Sequence, residues 1–282
     1  MNGAAHVAVR DFALDYGTGS QRMAAVQDLS LEVKPGEFVS LIGPSGCGKS
    51  TVLNALAGFM QPTRGLVQVD GAEIRGPSPD RGMVFQQYSL FPWMTVRQNV
   101  EFGLKMKGIG ATERQRTART LLSLAGVLAF ENRYPDALSG GMKQRVGIVR
   151  ALATGPRVLL MDEPFGALDS QTRAIMQSIL LELWEASRIS VLFVTHDIDE
   201  AIFLSDRIYV MTARPGRIKA ELAVPLERPR TPDLAGSAGF LQLRSQLREL
   251  IREESLKAMG HEVGAVPADQ RFGQDLAAVA PP

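Results

Sequence analysis

A glycine-rich turn set between an apolar run and an apolar helix restricts the fold of this chain most. Phe38-Val39-Ser40-Leu41-Ile42 reads as a buried strand, and Gly43-Pro44-Ser45-Gly46-Cys47-Gly48-Lys49-Ser50 follows it directly. The turn fits G-x-x-x-x-G-K-[ST], a loop that wraps phosphates. Its glycines let consecutive backbone N–H groups curl around phosphate oxygens, and the following helix N-terminus adds a favourable dipole. Lys49 is expected to reach the β- and γ-phosphates, and the Ser50 hydroxyl to ligate Mg²⁺. The helix carries Leu53, Ala55 and Leu56 and stops near Gly58. Such a loop does not choose between GTPases, kinases, motors and transport ATPases. No Asn-Lys-x-Asp guanine signature occurs in the chain, which argues against a GTPase.

The rest of the sequence supplies the sheet such a loop needs. Val158–Met161 and Val191–Val194 are further short, branched apolar runs bounded by polar or turn residues. Apolar runs alternating with helices imply a parallel sheet covered on both faces. Residues 5–36 read as short antiparallel strands with turns at Gly17–Gly19 and Pro35-Gly36. From Thr95 to Leu138 the pattern becomes helical, with Thr112 and Gln115 spaced as a capping box and Gly126 as a stop. After Pro225, residues 228–238 have the Pro, Arg, Gly and Ser content of a linker. Phe240, Leu243, Leu247, Leu250 and Ile251 then recur at helical spacing, with Glu253 and Lys257 placed as an i,i+4 pair. The tail from about 262 has little periodicity and reads as loose.

Charge and cysteine content narrow the class. The 31 basic residues balance 30 acidic ones, which excludes a strongly basic nucleic-acid coat. The single thiol, Cys47, excludes an internal disulfide framework. No stretch approaches the roughly 18 apolar residues of a membrane-spanning helix. Residues 1–16 carry Arg10, Asp11 and Asp15 and lack a signal-peptide core, so the chain is expected in the cytoplasm.

Two further segments complete the site. Leu159-Leu160-Met161-Asp162-Glu163-Pro164 is an apolar run ending in two carboxylates. Beside a phosphate loop, Asp162 is placed to hold Mg²⁺, and Glu163 to orient and deprotonate the attacking water. Leu138-Ser139-Gly140-Gly141-Met142-Lys143-Gln144-Arg145 is a second anion-binding turn opening a helix. One nucleotide does not need two such turns from one chain, so the second is expected to serve a nucleotide across a dimer interface.

This order resembles the ATP-binding subunit of an ABC transporter, over about residues 5–225. The phosphate loop lies at 43–50 and Gln86 sits in Met83-Val84-Phe85-Gln86 like a Q-loop. The signature is Leu138–Gly141, and Asp162 and Glu163 follow. Ala167-Leu168-Asp169 looks like the D-loop, and Thr195-His196-Asp197 carries the switch histidine. Met142 departs from the glutamine that often ends the signature, which leaves the anion-binding turn intact. The resemblance implies an ABC-type P-loop NTPase core over 5–225, α/β in class, with an antiparallel β subdomain and a helical insertion at about 87–155. Residues 226–282 would form a linker, a helix and a loose tail.

The resemblance also implies roles. ATP would bind Gly43, Pro44, Ser45, Gly46, Cys47, Gly48, Lys49, Ser50 and Thr51, with Ser139, Gly140, Gly141 and Asp169 reaching the opposite subunit's site. Mg²⁺ would meet Ser50, Asp162 and Gln86, with Gln87 the competitor for the last position. Glu163, His196 and Gln86 would act on the water and γ-phosphate. Tyr16 would stack on adenine, with Phe12 as the alternative. Phe91, Trp93 and Met94 either line a groove for the permease or pack the insertion. Cys47 lies among N–H groups, a helix start and an ammonium, so its thiolate is expected to be favoured.

Gly36-Glu37-Phe38, Leu90-Phe91-Pro92-Trp93, Asp197–Ala201 and Met211-Thr212-Ala213-Arg214-Pro215-Gly216-Arg217-Ile218 look most like the importer group for nitrate, sulfonates, taurine and similar solutes. The chain ends too soon for the β-rich regulatory domain of sugar-importer ATPases. The expected partners are a second copy, integral membrane permease subunits and, indirectly, an extracytoplasmic solute-binding protein, at the cytoplasmic face of the bacterial inner membrane. The rival reading is a soluble ABC-type ATPase acting on nucleic acid or ribosomes, for which the long coiled coils or fused second nucleotide domain are not visible. An inactive scaffolding subunit would lack Lys49, Glu163 or His196, and all are present.

Overall fold

The computed structural model describes residues 3–17, 19, 22–87 and 89–265. The elements run β1 (Val7–Tyr16), β2 (Met23–Val33), β3 (Phe38–Ile42), α1 (Lys49–Ala57), β4 (Arg64–Val69), β5 (Ala72–Glu73) and β6 (Arg81–Val84). Then come α2 (Val96–Met106), α3 (Ala111–Leu124), α4 (Gly140–Ala153), β7 (Val158–Asp162), α5 (Ser170–Ser187) and β8 (Ser190–Thr195). The chain closes with α6 (Ile198–Leu204), β9 (Arg207–Met211), β10 (Ile218–Ala223) and α7 (Ala238–Ala265). The expected turn at Gly17–Gly19 includes Thr18, which lies outside the described residues, as do 266–282 of the tail. Among the described residues no helix is long and apolar enough to cross a membrane.

Two sheets form. The six-stranded sheet has the order β10-β9-β3-β8-β7-β6 and is parallel except for β10. The four-stranded sheet, β2-β1-β4-β5, is antiparallel throughout. Strand periodicity sends alternate residues of the large sheet to opposite faces. Phe38, Ile42, Leu159, Met161, Val191, Phe193, Ile208 and Val210 join one apolar core with the helices. Val39, Leu41, Val158, Leu160, Leu192, Val194 and Tyr209 join a second core with α1 and the antiparallel sheet. Both faces are covered, so these strands read as unbroken apolar runs. Each fully buried Val, Leu, Ile or Phe contributes about 1.5–3 kcal/mol.

The helical insertion starts differently from its sequence reading. Thr95 caps α2 in a complete capping box: its hydroxyl accepts from Gln98 N (3.3 Å) and Gln98 Oε1 accepts from Thr95 N (2.9 Å). Thr112 caps nothing, because α3 begins one residue earlier with Gly110 in the extended N-cap conformation. The expected stop holds: α3 ends at Leu124, and Gly126 follows at φ 67°.

Residues 228–238 pack as a strap. The Arg228 guanidinium binds Asp206 (2.8 Å) and lies 4.3 Å over the Trp184 ring. Arg230 is buried and donates to the carbonyls of Ile202, Phe203 and Ser205, satisfying the C-terminal end of α6. Helix α7 then lays Phe240 and Leu247 into the first core, with Leu243, Leu250 and Ile251 beside them. Glu253 reaches out of the helix to Lys219 (2.5 Å), while Lys257 donates to Glu254 (2.7 Å).

Candidate active site

The phosphate loop leaves the carboxyl end of β3, which is where open α/β sheets bind ligands. Gly48 is the N-cap of α1 at φ 101°, and a Cβ there would stand 2.5 Å from Val26 Cγ2. Only glycine allows that turn. Lys49 is buried and its ammonium donates to the Gly43 (2.9 Å) and Pro44 (3.0 Å) carbonyls, bracing the loop from inside.

A cleft of ≈ 420 Å³ opens over this loop. It is lined by Tyr16, Ser45, Gly46, Gly48, Lys49, Ser50, Thr51, Gln86, Glu163 and Arg214. The structure therefore brings together the loop, Gln86 and the second carboxylate from three separate strands. Tyr16 is 41% exposed and its hydroxyl bonds to Thr51 Oγ1 (3.1 Å), whereas Phe12 is fully buried. Tyr16, not Phe12, has a face to offer a base.

The carboxylates stand at the end of β7. Ser50 Oγ donates to Asp162 Oδ1 (3.0 Å), joining the loop to that strand. Burial pushes the Asp162 carboxyl above its ordinary pKa, against the Ser50 bond, as a partly desolvated acid without a cation would behave. Ser50 hydroxyl, Asp162 carboxylate and the Gln86 amide are hard oxygen donors of the kind Mg²⁺ takes alongside substrate phosphates. Among the described residues no cluster of three His, Cys, Asp or Glu side chains offers a self-sufficient metal site.

Glu163 has φ 42°, a conformation that a non-glycine residue adopts at a cost. Its N–H donates to Val194 O (2.9 Å), fixing the turn against β8. The turn delivers the carboxylate to His196: Nδ1 and Oε2 are 3.1 Å apart. His196 follows β8 and is held by its neighbours. Asp197 N donates to Thr195 Oγ1 (3.0 Å), and Asp197 caps α6 through Glu200 N (3.1 Å). Arg173 ties this segment to the D-loop stretch, binding Asp197 Oδ2 (3.0 Å) and the Leu168 carbonyl (3.1 Å).

Ser139, Gly140 and Gly141 do not line the cleft. Ser139 caps α4, accepting from Met142 N (3.4 Å), so the side chain of residue 142 is not used there. Asp169 caps α5 through Thr172 N (2.9 Å) on the exposed surface, and that bond holds its carboxyl below the usual range.

Cys47 overturns its sequence reading. The thiol is 1% exposed and packs inward in the second core, beside Gly43 and Met211. Burial raises its pKa, outweighing the opposing pull of Lys49. Its side chain belongs to the core, and only its backbone belongs to the loop. Arg214 and Arg173 are the site residues that motif spacing missed. The available signal was position: Arg214 follows the carboxyl end of β9, where ligands gather.

A family model described as ABC transporter matches residues 26–166. An uncharacterized ABC transporter ATP-binding protein of Methanocaldococcus jannaschii is 50% identical over 238 residues, covering 84% of this chain and 88% of its own. A nitrate import ATP-binding protein of Synechocystis is 49% identical, covering 82% and 89%. A taurine import ATP-binding protein of Jannaschia is 46% identical, covering 84% and 90%. Among solved structures, the dimeric post-hydrolysis state of the ATP-binding cassette MJ0796, bound to ADP and Pi, is similar with TM-score 0.69 and 35% identity, covering 78% and 100%.

Proposed function

The chain belongs to the ABC transporter family, and from that membership we propose that it is the ATP-hydrolysing subunit of an importer for a small solute such as nitrate, a sulfonate or taurine. It would work as a dimer at the cytoplasmic face of the cell membrane, attached to separate permease subunits that an extracytoplasmic solute-binding protein feeds. The solute class rests on relatives named for nitrate and taurine import. The observation that carries the hydrolytic reading is the Glu163–His196 pair, set at 3.1 Å beside the phosphate loop.

In this reading the loop N–H groups and Lys49 bind the phosphates, and Tyr16 stacks on the base. Glu163 accepts a proton from the attacking water while His196 holds the carboxylate and faces the γ-phosphate. Ser50, Asp162 and Gln86 would hold Mg²⁺, which neutralises charge on the phosphates. Positioning and electrostatics do most of the catalytic work. Ser139 and Gly140–Gly141, absent from their own cleft, supply donors to the partner copy's nucleotide.

The test is purification of the tagged chain from membranes. A permease and a solute-binding protein should accompany it, and the complex should hydrolyse ATP. Glu163→Gln keeps the shape but cannot take a proton; the variant should bind ATP normally and turn over at least about 100-fold more slowly. Wild-type turnover would remove Glu163 from the role, and recovery with ribosomes or nucleic acid would replace the importer reading.

A further inference from the structure

The loop between β9 and β10 is held on three sides. Gly216 N donates to Ala25 O (2.9 Å) and Gly216 O accepts from Gln27 N (2.9 Å), which pins the loop to β2. A Cβ on Gly216 would lie 2.0 Å from the Cys47 carbonyl oxygen, so the loop rests directly on the phosphate loop. Within it, Thr212 Oγ1 donates to Pro215 O (3.1 Å) and accepts from Arg217 N (2.9 Å). The third hold comes from α7. The Glu254 carboxylate, 1% exposed, accepts from Ala213 N (2.9 Å) and pairs with Lys219 (2.9 Å) and Lys257 (2.7 Å).

A buried carboxylate committed to one loop N–H fixes the residue that follows. That residue is Arg214, which lines the nucleotide cleft. Its guanidinium contacts Met23 Sδ (3.6 Å), and Met23 is the cross-strand partner of Tyr16. The cation therefore enters the cleft beside the strand pair that carries Tyr16, on a loop that rests on the phosphate loop through Gly216. Lys49, the other cation lining the cleft, is bent back onto its own loop's carbonyls.

We propose that Arg214 contacts the ribose and α-phosphate of bound ATP, and that Glu254 is the positioning residue through which the C-terminal helix sets nucleotide affinity. The proposal rests on the cleft being the ATP site. A charge-assisted contact from a pre-placed guanidinium adds affinity for any nucleotide carrying an α-phosphate and is indifferent to the γ-phosphate.

Calorimetric titration of the full chain with ATP and with ADP tests it. Arg214→Ala should raise both dissociation constants by the same factor, roughly ten-fold, and Arg214→Lys should restore part of the loss. In steady state, KM should rise with kcat nearly unchanged. Glu254→Ala, which removes the acceptor for Ala213 N, should weaken ATP binding in the wild-type background and add nothing on top of Arg214→Ala. Wild-type affinity in Arg214→Ala would overturn the contact. No loss from Glu254→Ala in the wild-type background, or an equal loss in both backgrounds, would overturn the positioning role. Lys49→Ala, run alongside, separates the two levels: loss there with none in Arg214→Ala sinks only this inference, while wild-type binding in both sinks the site itself.

Discussion

The Glu200 carboxyl is buried and lines the small pocket that Glu163 and His196 also line. Burial raises its pKa from 4.5 to about 7, with Asp197 adding to the rise, although Thr195, Gln177 and Arg173 oppose it. The folded state thus binds a proton that the unfolded state releases at pH 4.5. The resulting stabilisation is fully present below pH 4.5 and is lost as pH rises through about 7, an effect of roughly 3 kcal/mol. Glu200→Gln removes the titration and keeps the shape. Thermal unfolding from pH 5 to pH 8 should show the wild-type Tm falling relative to the variant's. Parallel curves would show that the carboxyl stays ionised. The same contest between burial and charge decides Cys47, where a local run of residues displays Lys49 but not the core behind the thiol.

Among the elements, strands were legible where both faces are buried, because β3, β7 and β8 are apolar at nearly every position. Strand β1 was less so. Phe12 and Tyr16 are four residues apart and would share a face in strict alternation, but register shifts between Val9 and Asp15 break it. Only the fold separates the buried ring from the ring in the cleft. Caps fail for a similar reason. Thr95/Gln98 and Thr112/Gln115 have the same spacing, and the three-dimensional start of each helix selects one. The segment joining β6 to α2 makes a further claim at this scale. Asn99 accepts from Phe91 N (2.8 Å) and donates to the carbonyls of Phe91, Met94 and Thr95, so the turn is firm. Yet it presents Trp93 69% exposed, with its ring 5.6 Å from Phe91. A rigid exposed indole is a strong anchor for a partner. Trp93→Ala should leave ATP binding by the isolated chain intact and cut recovery of the permease from membranes several-fold. Undiminished recovery would return Trp93 to the role of packing in the insertion.

For the molecule as a whole, the decisive observation is that one chain carries two glycine turns that open helices, and only the first lines the cleft. The cleft holds Lys49, Gln86 and Glu163, while Ser139 caps a helix start outside it. The proposed two-fold dimer would resolve this, because each copy would then lend its Ser139 turn to the other's nucleotide. The Arg228–Arg230 strap and α7 pack on α6 and the first core.

Hydrolysis by mixed copies tests this account most directly. Lys49→Ala chains lack the phosphate lysine and Ser139→Arg chains block the donated turn, so each alone should be nearly inactive. Mixed in equal amounts, half the dimers pair one of each, and one of their two sites combines a native Lys49 with a native Ser139. The mixture should regain up to about a quarter of wild-type activity. A mixture no more active than its components, with Ser139→Arg alone hydrolysing at the wild-type rate, would show that each chain completes its own site and would contradict the shared one.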